Sequence, residues 1–296
     1  MKILITAGPT YEPIDPVRYI GNRSSGKMGI SIANSFAGYG EVVLVLGPTQ
    51  LRHTVHSDVK VIDVETAQQM YMASVMHAEY DIIIGGAAVS DYKVVNYSGE
   101  KIKKSGNITL ELEKNVDILY ELGRHRIKNQ ILVGFALETT DLLEYAKSKI
   151  EKKNLDMIVA NYSDAMNADK STINIIYKDS MEKHVENTDT KEANALFVRD
   201  AVLKLHDTKI GNSQKAVRDL RVKKYDVMYR GDDKITAVSP NNTDFVIIDT
   251  KTLDVIVRDI VSIDEETKLP VLSNYRKTFT CTDIPMLANL LDTLTK

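Results

Sequence analysis

Cysteine is nearly missing from this chain of 296 residues, since Cys281 is the single one. One cysteine excludes an internal disulfide and any metal or iron–sulfur site built from several cysteines. It also fits a reducing compartment, and we interpret Cys281 as a partly buried thiol. No apolar run approaches the ~20 residues of a membrane span, and the apolar start at residues 1–7 is too short for a signal core. We therefore expect a cytoplasmic protein with no membrane partner.

An excess of one charge is missing as well. The chain has 38 basic and 41 acidic residues, a formal net charge of −3 and a pI near 6.1. This balance provides no general positive field for nucleic acid or anionic lipid, so we expect no nucleic-acid partner. Any phosphate must be recognised locally. With 43% hydrophobic residues, the chain is able to form a sizeable core.

Strand-like and helix-like segments alternate over the first two-thirds of the chain. Strands are predicted near residues 2–7, 41–46, 60–64, 81–84, 109–112, 131–135, 157–160 and 174–177. Helices are predicted over residues 28–38, 67–78, 116–126, 141–153 and 190–206. The alternation predicts an α/β fold with a doubly wound, mostly parallel, Rossmann-like sheet, whose ligands lie beyond the carboxyl ends of its strands. The segments that should line this crevice are 8–10, 85–92, 135–138 and 160–161.

The pattern changes near residue 209. Alternating patches at 225–229, 234–238, 244–249 and 253–257 predict short antiparallel strands, and a last helix is predicted over 284–295. We therefore expect a main domain over residues 1–208 and a smaller, β-rich (α+β) C-terminal appendage over residues 209–296. The sequence indicates no function for this appendage.

The segment 21–29 is rich in glycine and serine. Residues 21–27 match most of a P-loop, but Met28 stands where a hydroxyl residue should hold magnesium, and the segment begins well after the first strand. An ordinary P-loop is therefore disfavoured. Ser24, Ser25 and Gly26 still precede a helix, whose free amides and positive dipole end are suited to a phosphate. An N-capped helix without a ligand is the alternative.

Several longer motifs carry a family resemblance. They are Gly8-Pro9-Thr10, Asp15-Pro16-Val17-Arg18, Asn22-Arg23-Ser24-Ser25-Gly26-Lys27-Met28-Gly29, and the segments 87–92, 100–104, 134–139 and 153–161. In this order they resemble the signatures of phosphopantothenoylcysteine synthetases, the ligase domain of the DNA/pantothenate metabolism flavoprotein family. The resemblance covers roughly residues 1–206 and identifies the main domain as similar to this ligase domain.

The resemblance implies a reaction of coenzyme A biosynthesis. A nucleoside triphosphate, 4'-phosphopantothenate and L-cysteine would give phosphopantothenoylcysteine, a nucleoside monophosphate and pyrophosphate through an acyl-nucleotide. Bacterial-type members, which this signature resembles more closely, use CTP, so CTP is favoured over ATP, with Mg²⁺ carried by the nucleotide. Family members are commonly dimers, so a homodimer is expected. Many bacterial members carry a flavin-binding decarboxylase domain in front; this sequence starts at the ligase strand, so we expect no flavin and no decarboxylation.

Site residues are transferred by matching positions. Asn22 and Lys101 match family residues that contact the acyl-nucleotide and form the anhydride, respectively. Lys149 and Lys153, four residues apart on one helix face, match lysines that bind the triphosphate. The other expected nucleotide-binding residues are Gly8, Ser24, Ala87, Ala88, Asp91, Phe135 and Ala136. Asp91 is also the one residue expected to help hold Mg²⁺, while Arg18 and Arg23 are expected to serve the substrate or the subunit interface.

Two other functions remain open at this point. One is a non-catalytic nucleotide-binding or regulatory protein in which the appendage is the working part. The other is an NAD(P)-dependent short-chain reductase, because Tyr145 and Lys149 have the Tyr-x-x-x-Lys spacing. The glycine fingerprint that such a reductase requires directly after its first strand is not supplied by Gly8-Pro9-Thr10.

Overall fold

The computed structural model describes residues 1–104, 106–138, 142–162, 170–180 and 184–210, together with strands between residues 226 and 280. The chain divides into two compact units. One comprises residues 1–37 and 41–206, and the other comprises residues 38–40 and 207–296. Across the described ranges, no helix combines the length and the apolar composition that crossing a membrane requires.

The first unit alternates strands and helices as the sequence predicted. Its strands are β1 (Lys2–Ala7), β2 (Tyr11–Pro13), β3 (Tyr19–Gly21), β4 (Glu41–Leu46), β5 (Val59–Asp63), β6 (Ile82–Gly85), β7 (Tyr92–Val94), β8 (Leu112–Lys114), β9 (Ile131–Glu138), β10 (Met157–Tyr162), β11 (Lys170–Tyr177) and β12 (His184–Thr190). Its helices are α1 (Lys27–Ser35), α2 (Ala67–Val75), α3 (Ile118–Arg124), α4 (Leu142–Lys152) and α5, which begins in this unit (Lys191–Lys209).

The main sheet has eight strands in the order β12-β11-β10-β9-β6-β1-β4-β5. The strands from β10 to β5 in this order pair in parallel, whereas β11 pairs antiparallel with both β10 and β12. This arrangement confirms the doubly wound, mostly parallel sheet. From β1 the chain adds β4 and β5 on one side and then β6, β9 and β10 on the other, so the winding reverses between β1 and β6. Ligands bind at such a switch point in open α/β sheets.

The core of the first unit covers both faces of this sheet. Leu4 packs in one apolar cluster with Met70 of α2 and Ile150 of α4. Its neighbours Ile3 and Ile5 are fully buried and point to the opposite face, because side chains alternate along a strand, and α1 contacts β1. Burial of each such aliphatic side chain contributes roughly 1.5–3 kcal/mol to the free energy of folding. The carboxyl ends of the strands are therefore supported by a well-packed core.

Some local predictions were wrong. The strand expected at 109–112 lies at Leu112–Lys114, where it pairs with β7 and is exposed. The hairpin of β2 and β3 and the edge strand β12 were not predicted. These strands are short or polar, and their pairing partners rather than an apolar face determine their conformation.

The second unit contains antiparallel strands. They are β13 (Asp226–Arg230), β14 (Lys234–Val238), β15 (Asp244–Asp249), β16 (Asp254–Ile263), β17 (Pro270–Leu272) and β18 (Lys277–Thr280). They pair in the order β13-β14-β15-β16-β17, and β18 also pairs with β16. The predicted strands coincide closely with the first three of them, and the fourth prediction, 253–257, covers only the first part of β16. The predicted last helix over 284–295 and Cys281 lie outside the described residues.

Candidate active site

A cavity of about 710 Å³ opens beyond the carboxyl ends of β1, β6 and β9. It therefore lies where the winding of the sheet reverses. Its polar and charged lining residues come from strands, loops and helices that are distant in the chain: Thr6, Asn22, Arg23, Ser24, Ser25, Lys27, Asp91, Asn115, Asp117, Lys149, Lys153, Asn161 and Lys191. Ala87, Ala88, Phe135 and Ala136 also line it. Of the predicted crevice segments, parts of 85–92, 135–138 and 160–161 are thus brought together.

One wall of the cavity is the loop that leads into α1. Gly26 has a φ of +76°, a conformation that glycine adopts without strain, and a Cβ there would lie 3.2 Å from the Cα of Gly8. A Cβ on Gly29 would lie 2.4 Å from the Cβ of Ala7. This close packing sets the start of α1 directly on the end of β1. The first-turn amides and the positive end of the helix dipole therefore lie at the cavity wall.

Serine hydroxyls occupy part of this helix start. Ser24 Oγ accepts the backbone N–H of Gly26 at 3.3 Å, and Ser25 Oγ accepts that of Lys27 at 3.5 Å. The carbonyl of Ser25 accepts a hydrogen bond from Thr49 Oγ1 at 2.7 Å, which holds the loop in place. The two long bonds are weak, so an incoming anion is able to compete for the same amides.

Asn22 connects two walls of the cavity. Its Nδ2 donates to the carbonyl of Ala88 at 3.0 Å and to that of Val89 at 3.2 Å. Ala88 in turn donates its N–H to the carbonyl of Gly8 at 2.8 Å. Gly8 therefore supports the site from behind and is not among the residues that line the cavity. The Asn22 side chain itself is exposed toward the cavity.

Asp91 lines the cavity next to a fixed asparagine. Asn115 donates its backbone N–H to the carbonyl of Asp91 at 2.8 Å and its Nδ2 to the carbonyl of Ser90 at 2.9 Å. Ser90 N–H donates to Thr10 Oγ1 at 2.9 Å. These bonds fix the backbone of residue 91 and leave its exposed carboxylate at the cavity rim.

Two predicted lysines, Lys149 and Lys153, also line the cavity. Lys153 donates its backbone N–H to the carbonyl of Lys149, as helical spacing requires, and both residues line the cavity. The Lys153 ammonium lies 2.9 Å from Asp117 Oδ1. The Lys149 ammonium lies 4.7 Å from the centre of the exposed Tyr145 ring. The cavity that contains the start of α1 is therefore also lined by two cations from the C-terminal part of α4 and the residue after it.

Lys27 and Lys191 add positive charge that sequence reasoning did not assign to the site. Lys27 forms an ion pair with Glu192 at 3.4 Å, and Lys191 is buried at the start of α5 while lining the cavity. Lys27 stood inside the glycine-rich segment, so the P-loop comparison was a usable signal for it. Nothing in the local pattern around Lys191 indicates a ligand.

Lys101 and Arg18 lie elsewhere in this chain. They line a second cleft of about 480 Å³ together with Ile102, Lys103, Lys104, Gly106 and Ile108. The structure therefore does not bring Lys101 into the cavity that contains Asn22, Asp91, Lys149 and Lys153. The physical reason is the buried carboxylate of Asp15, which binds both Arg18 and the backbone N–H of Ile102 and holds the lysine-rich loop against the β2–β3 hairpin.

Residues 1–205 match the family described as the DNA/pantothenate metabolism flavoprotein C-terminal domain. The chain belongs to this family. The short-chain reductase alternative rested only on the spacing of Tyr145 and Lys149, and membership of this family argues against it.

Individual family members are similar over the same region. Coenzyme A biosynthesis bifunctional protein CoaBC of Haemophilus influenzae is 46% identical over 189 residues, which cover 62% of this chain and 47% of that protein. A cysteine/cysteine sulfinic acid decarboxylase of an unknown prokaryotic organism is 52% identical over 163 residues, which cover 54% of this chain and 45% of that protein. The chain thus spans about half the length of these curated relatives.

A solved structure of the family has the same fold. The crystal structure of the C-terminal domain of a Coenzyme A biosynthesis bifunctional protein CoaBC is 40% identical, with a TM-score of 0.58. The similarity covers 70% of this chain and 96% of that one.

Proposed function

We propose that this chain is a ligase that joins 4'-phosphopantothenate to L-cysteine in coenzyme A biosynthesis, with CTP favoured over ATP as co-substrate. The observation that carries the proposal is one cavity at the switch point of the sheet, which is lined by the start of α1, by Asn22 and by two lysines, one within α4 and one just after it. Family membership and the similarity to CoaBC support it.

The chemistry requires activation of a carboxylate. A carboxylate oxygen of 4'-phosphopantothenate attacks the α-phosphorus of the nucleotide. The bond between this oxygen and the α-phosphorus forms while the bond from the α-phosphorus to pyrophosphate breaks, and pyrophosphate leaves. The neutral amine of cysteine then attacks the acyl carbon, the nucleoside monophosphate leaves, and the amine loses a proton to solvent. Both the attacking acid and the phosphate are anions, so groups that neutralise the developing charge are the main source of rate.

The cavity lining supplies such groups from several elements. In this proposal Lys149 and Lys153 hold the triphosphate as point charges, and the α1 amides with Ser24 hold a second anionic group. Asn22 donates hydrogen bonds to the acyl-nucleotide, exchanging its bonds to the carbonyls of Ala88 and Val89 for bonds to the substrate. Arg23, exposed at the cavity wall, serves the substrate or a neighbouring subunit.

Magnesium fits this arrangement as an ion carried by the nucleotide. Asp91 is an exposed carboxylate on the cavity lining, and among the residues that the structure describes no group of three or more histidine, cysteine, aspartate or glutamate side chains is placed to hold a metal by itself. Mg²⁺ usually keeps several waters and binds one or two carboxylates plus phosphates. Bound there, it would supply charge neutralisation between the phosphates, with Asp91 as its protein ligand.

The base is proposed to lie against β6 and β9. Ala87 and Ala88 follow the end of β6, and Phe135 and Ala136 lie within β9, so backbone amides and carbonyls are available beside small side chains. Hydrogen bonds from such groups discriminate a pyrimidine edge from a purine edge. The preference for CTP predicts a lower Kd for CTP than for ATP in isothermal titration calorimetry; equal values would contradict it.

Lys101 remains the proposed group for anhydride formation, and its position makes a homodimer part of the proposal. Within this chain it lies in the second cleft with Arg18. It would have to reach a cavity by movement of its loop or from a second copy of the chain.

The cytoplasmic location of the protein also stays a prediction.

Mixed dimers distinguish these two routes. Lys101→Gln and Asn22→Asp chains are unfolded and refolded together, and the cysteine-dependent release of the nucleoside monophosphate is measured, because Asn22→Asp alone still permits pyrophosphate release. If Lys101 acts on the partner's cavity, half of the dimers contain one intact site, and activity returns to about a quarter of that of the unmutated protein. If it acts within its own chain, mixing restores nothing.

The overall reaction has a direct test. Pyrophosphate release should depend on 4'-phosphopantothenate, and release of the nucleoside monophosphate should depend on cysteine. Lys101→Gln should abolish anhydride formation, whereas Asn22→Asp should allow it to form while slowing its turnover. A protein that binds CTP but releases no pyrophosphate with both substrates present would instead support the non-catalytic nucleotide-binding alternative.

The division into a ligase domain over 1–208 and an appendage over 209–296 is likewise a proposal. It is tested by truncation after residue 208, followed by measurement of activity and of molecular mass in solution. Full activity and an unchanged subunit number would assign catalysis to the first domain alone.

A further inference from the structure

Asp15 is a buried carboxylate at the turn between β2 and β3. Only 2% of the residue is exposed. Its two oxygens accept five hydrogen bonds, from two turn amides, two atoms of the Arg18 guanidinium and one amide of a loop more than eighty residues away. A buried carboxylate with so many donors is rare unless the surrounding structure depends on its charge.

The two oxygens have different partners. Oδ1 accepts the backbone N–H groups of Val17 and Arg18, each at 2.9 Å, and so shapes the turn itself. Oδ2 accepts Arg18 Nε at 3.0 Å, the Arg18 Nη2 and the backbone N–H of Ile102 at 3.1 Å. Arg18 Nη2 also donates to the carbonyl of Ile102 at 3.0 Å. Both backbone groups of Ile102 are therefore held by this pair of residues.

A further bond fixes the loop that precedes Ile102. The backbone N–H of Ser98 donates to the carbonyl of Ile14 at 3.1 Å. The segment 98–102 is thus attached to the β2–β3 turn at both ends, and Lys101 lies between the two attachments. A loop that is attached at two points holds its side chains in a defined position. An exposed lysine-rich loop without these attachments would not.

The carboxylate is ionised near neutral pH. The Arg18 guanidinium, and after it the amides of Val17, Ile102 and Arg18, hold the pKa of Asp15 well below the ordinary range, against the opposing effect of burial. The Oδ2 bonds are therefore charge-assisted, which makes them shorter and stronger than bonds between neutral groups.

We infer that Asp15 is a positioning residue, which joins the turn carrying Arg18 to the loop carrying Lys101 and so sets where both cations are presented to the substrate anions. The inference rests on the proposed ligase function. In this role Asp15 does not contact the reacting atoms. It acts only through the geometry of the two loops.

Asp15→Asn tests this at one atom. Asparagine keeps one oxygen, which satisfies the turn amides, but its NH₂ group takes the place of Oδ2 and faces three donors. The turn should persist while the hold on Ile102 is lost. We expect hydrogen–deuterium exchange of segment 98–104 to accelerate at least tenfold and kcat for pyrophosphate release to fall about 100-fold, the cost of a ~1 Å misplacement. KM for the nucleotide should change less than about twofold, since Lys149 and Lys153 are untouched.

Two further variants serve as controls for this test. Asp15→Glu keeps the charge and should fall between the unmutated protein and Asp15→Asn in both exchange and kcat, which also covers the case in which the asparagine variant does not fold. Asp63→Asn removes an exposed carboxylate paired with Arg52 at 3.1 Å and should leave both readouts unchanged.

The outcomes separate the inference from the proposed function. If the unmutated protein releases no pyrophosphate, the ligase proposal fails first. If it is active and Asp15→Asn is equally active despite faster exchange, the loop attachment has no catalytic role and the inference is overturned. It is also overturned if activity falls while exchange of segment 98–104 stays at the unmutated rate, or if KM rises as much as kcat falls.

Discussion

The ammonium of Lys153 lies 2.9 Å from Oδ1 of Asp117, and the same oxygen accepts the backbone N–H of Tyr120 at the first turn of α3. One carboxylate thus caps a helix and pairs with a cation of the cavity. This ion pair holds the Lys153 ammonium in place before a ligand binds. A triphosphate that binds Lys153 then has to compete with Asp117 for the ammonium.

Lys153→Gln should weaken nucleotide binding. A hydrogen bond to a charged group contributes about 1.5–3 kcal/mol, so the Kd for CTP should rise about tenfold or more in isothermal titration calorimetry. Lys152→Gln is the matched control, because Lys152 is adjacent in sequence, exposed, and not part of the cavity lining. Equal Kd values for the two variants would contradict the assignment of Lys153 to the triphosphate.

Gly29→Ala should destabilise the protein. The new Cβ would lie 2.4 Å from the Cβ of Ala7, so α1 has to move away from β1. Overpacking of this kind costs roughly 1–3 kcal/mol and should also lower nucleotide affinity, because the α1 amides shift. Gly99→Ala, where nothing lies within 4 Å of the new atom, is the control. Urea unfolding of both variants measures the difference, and an unchanged midpoint for Gly29→Ala would refute the close packing.

Arg126→Ala should lower the free energy of unfolding by about 2–4 kcal/mol, because it removes the guanidinium that pairs with a mostly buried carboxylate. Arg126 lies 2.6 Å from Asp156 Oδ2, which also accepts the N–H of Leu132, and it donates to the carbonyl of Asn154 at 2.7 Å. Arg124→Ala, which removes a more exposed ion pair with Glu121, should cost under about 0.5 kcal/mol. Thermal unfolding of the two variants side by side is the measurement; similar losses would contradict this ranking.

Tyr80 should titrate late. Burial and the hydrogen bond from its hydroxyl to Glu41 at 2.7 Å raise the pKa of Tyr80 to about 12. Because this pKa is above the unfolded value of about 10, the stability from the pair is present below pH 10 and is lost as the pH rises toward 12. Absorbance titration of the tyrosines should show a late phase that is absent in Tyr80→Phe. A Tyr80→Phe curve that superimposes on that of the unmutated protein would contradict it.

Much of the fold followed from the sequence because the central strands are continuous apolar runs between helices. Residues 82–84 and 131–134 are buried at consecutive positions, and therefore on both faces, which is the pattern of a parallel sheet. Strand β12 was missed because its sequence is polar; its pairing with β11, from Lys170↔Thr190 to Ile176↔His184, is what makes it a strand. A single-sequence pattern does not contain that partner.

The site was predictable where a motif sits at the end of a strand. Asp91 and Phe135 line one cavity because β6 and β9 are neighbouring strands, and Asn22 joins them through its bonds to the carbonyls of Ala88 and Val89. Lys191 was missed because it enters from a helix that follows two antiparallel strands, far from any glycine-rich segment. The separate cleft of Lys101 was not foreseen either, since the hydrogen bond from the Ile102 amide to Asp15 joins residues 87 positions apart.

The outer strands of the main sheet have a consequence for self-association. Strand β12 carries Glu186 and Asp189 at exposed positions, and β5, at the opposite margin, carries Lys60 and an Asp63 paired with Arg52. Charged groups along a free edge oppose the docking of another strand, because its backbone cannot approach without desolvating them. Charge at both margins therefore disfavours growth of this sheet from one molecule into the next along its hydrogen-bonding direction.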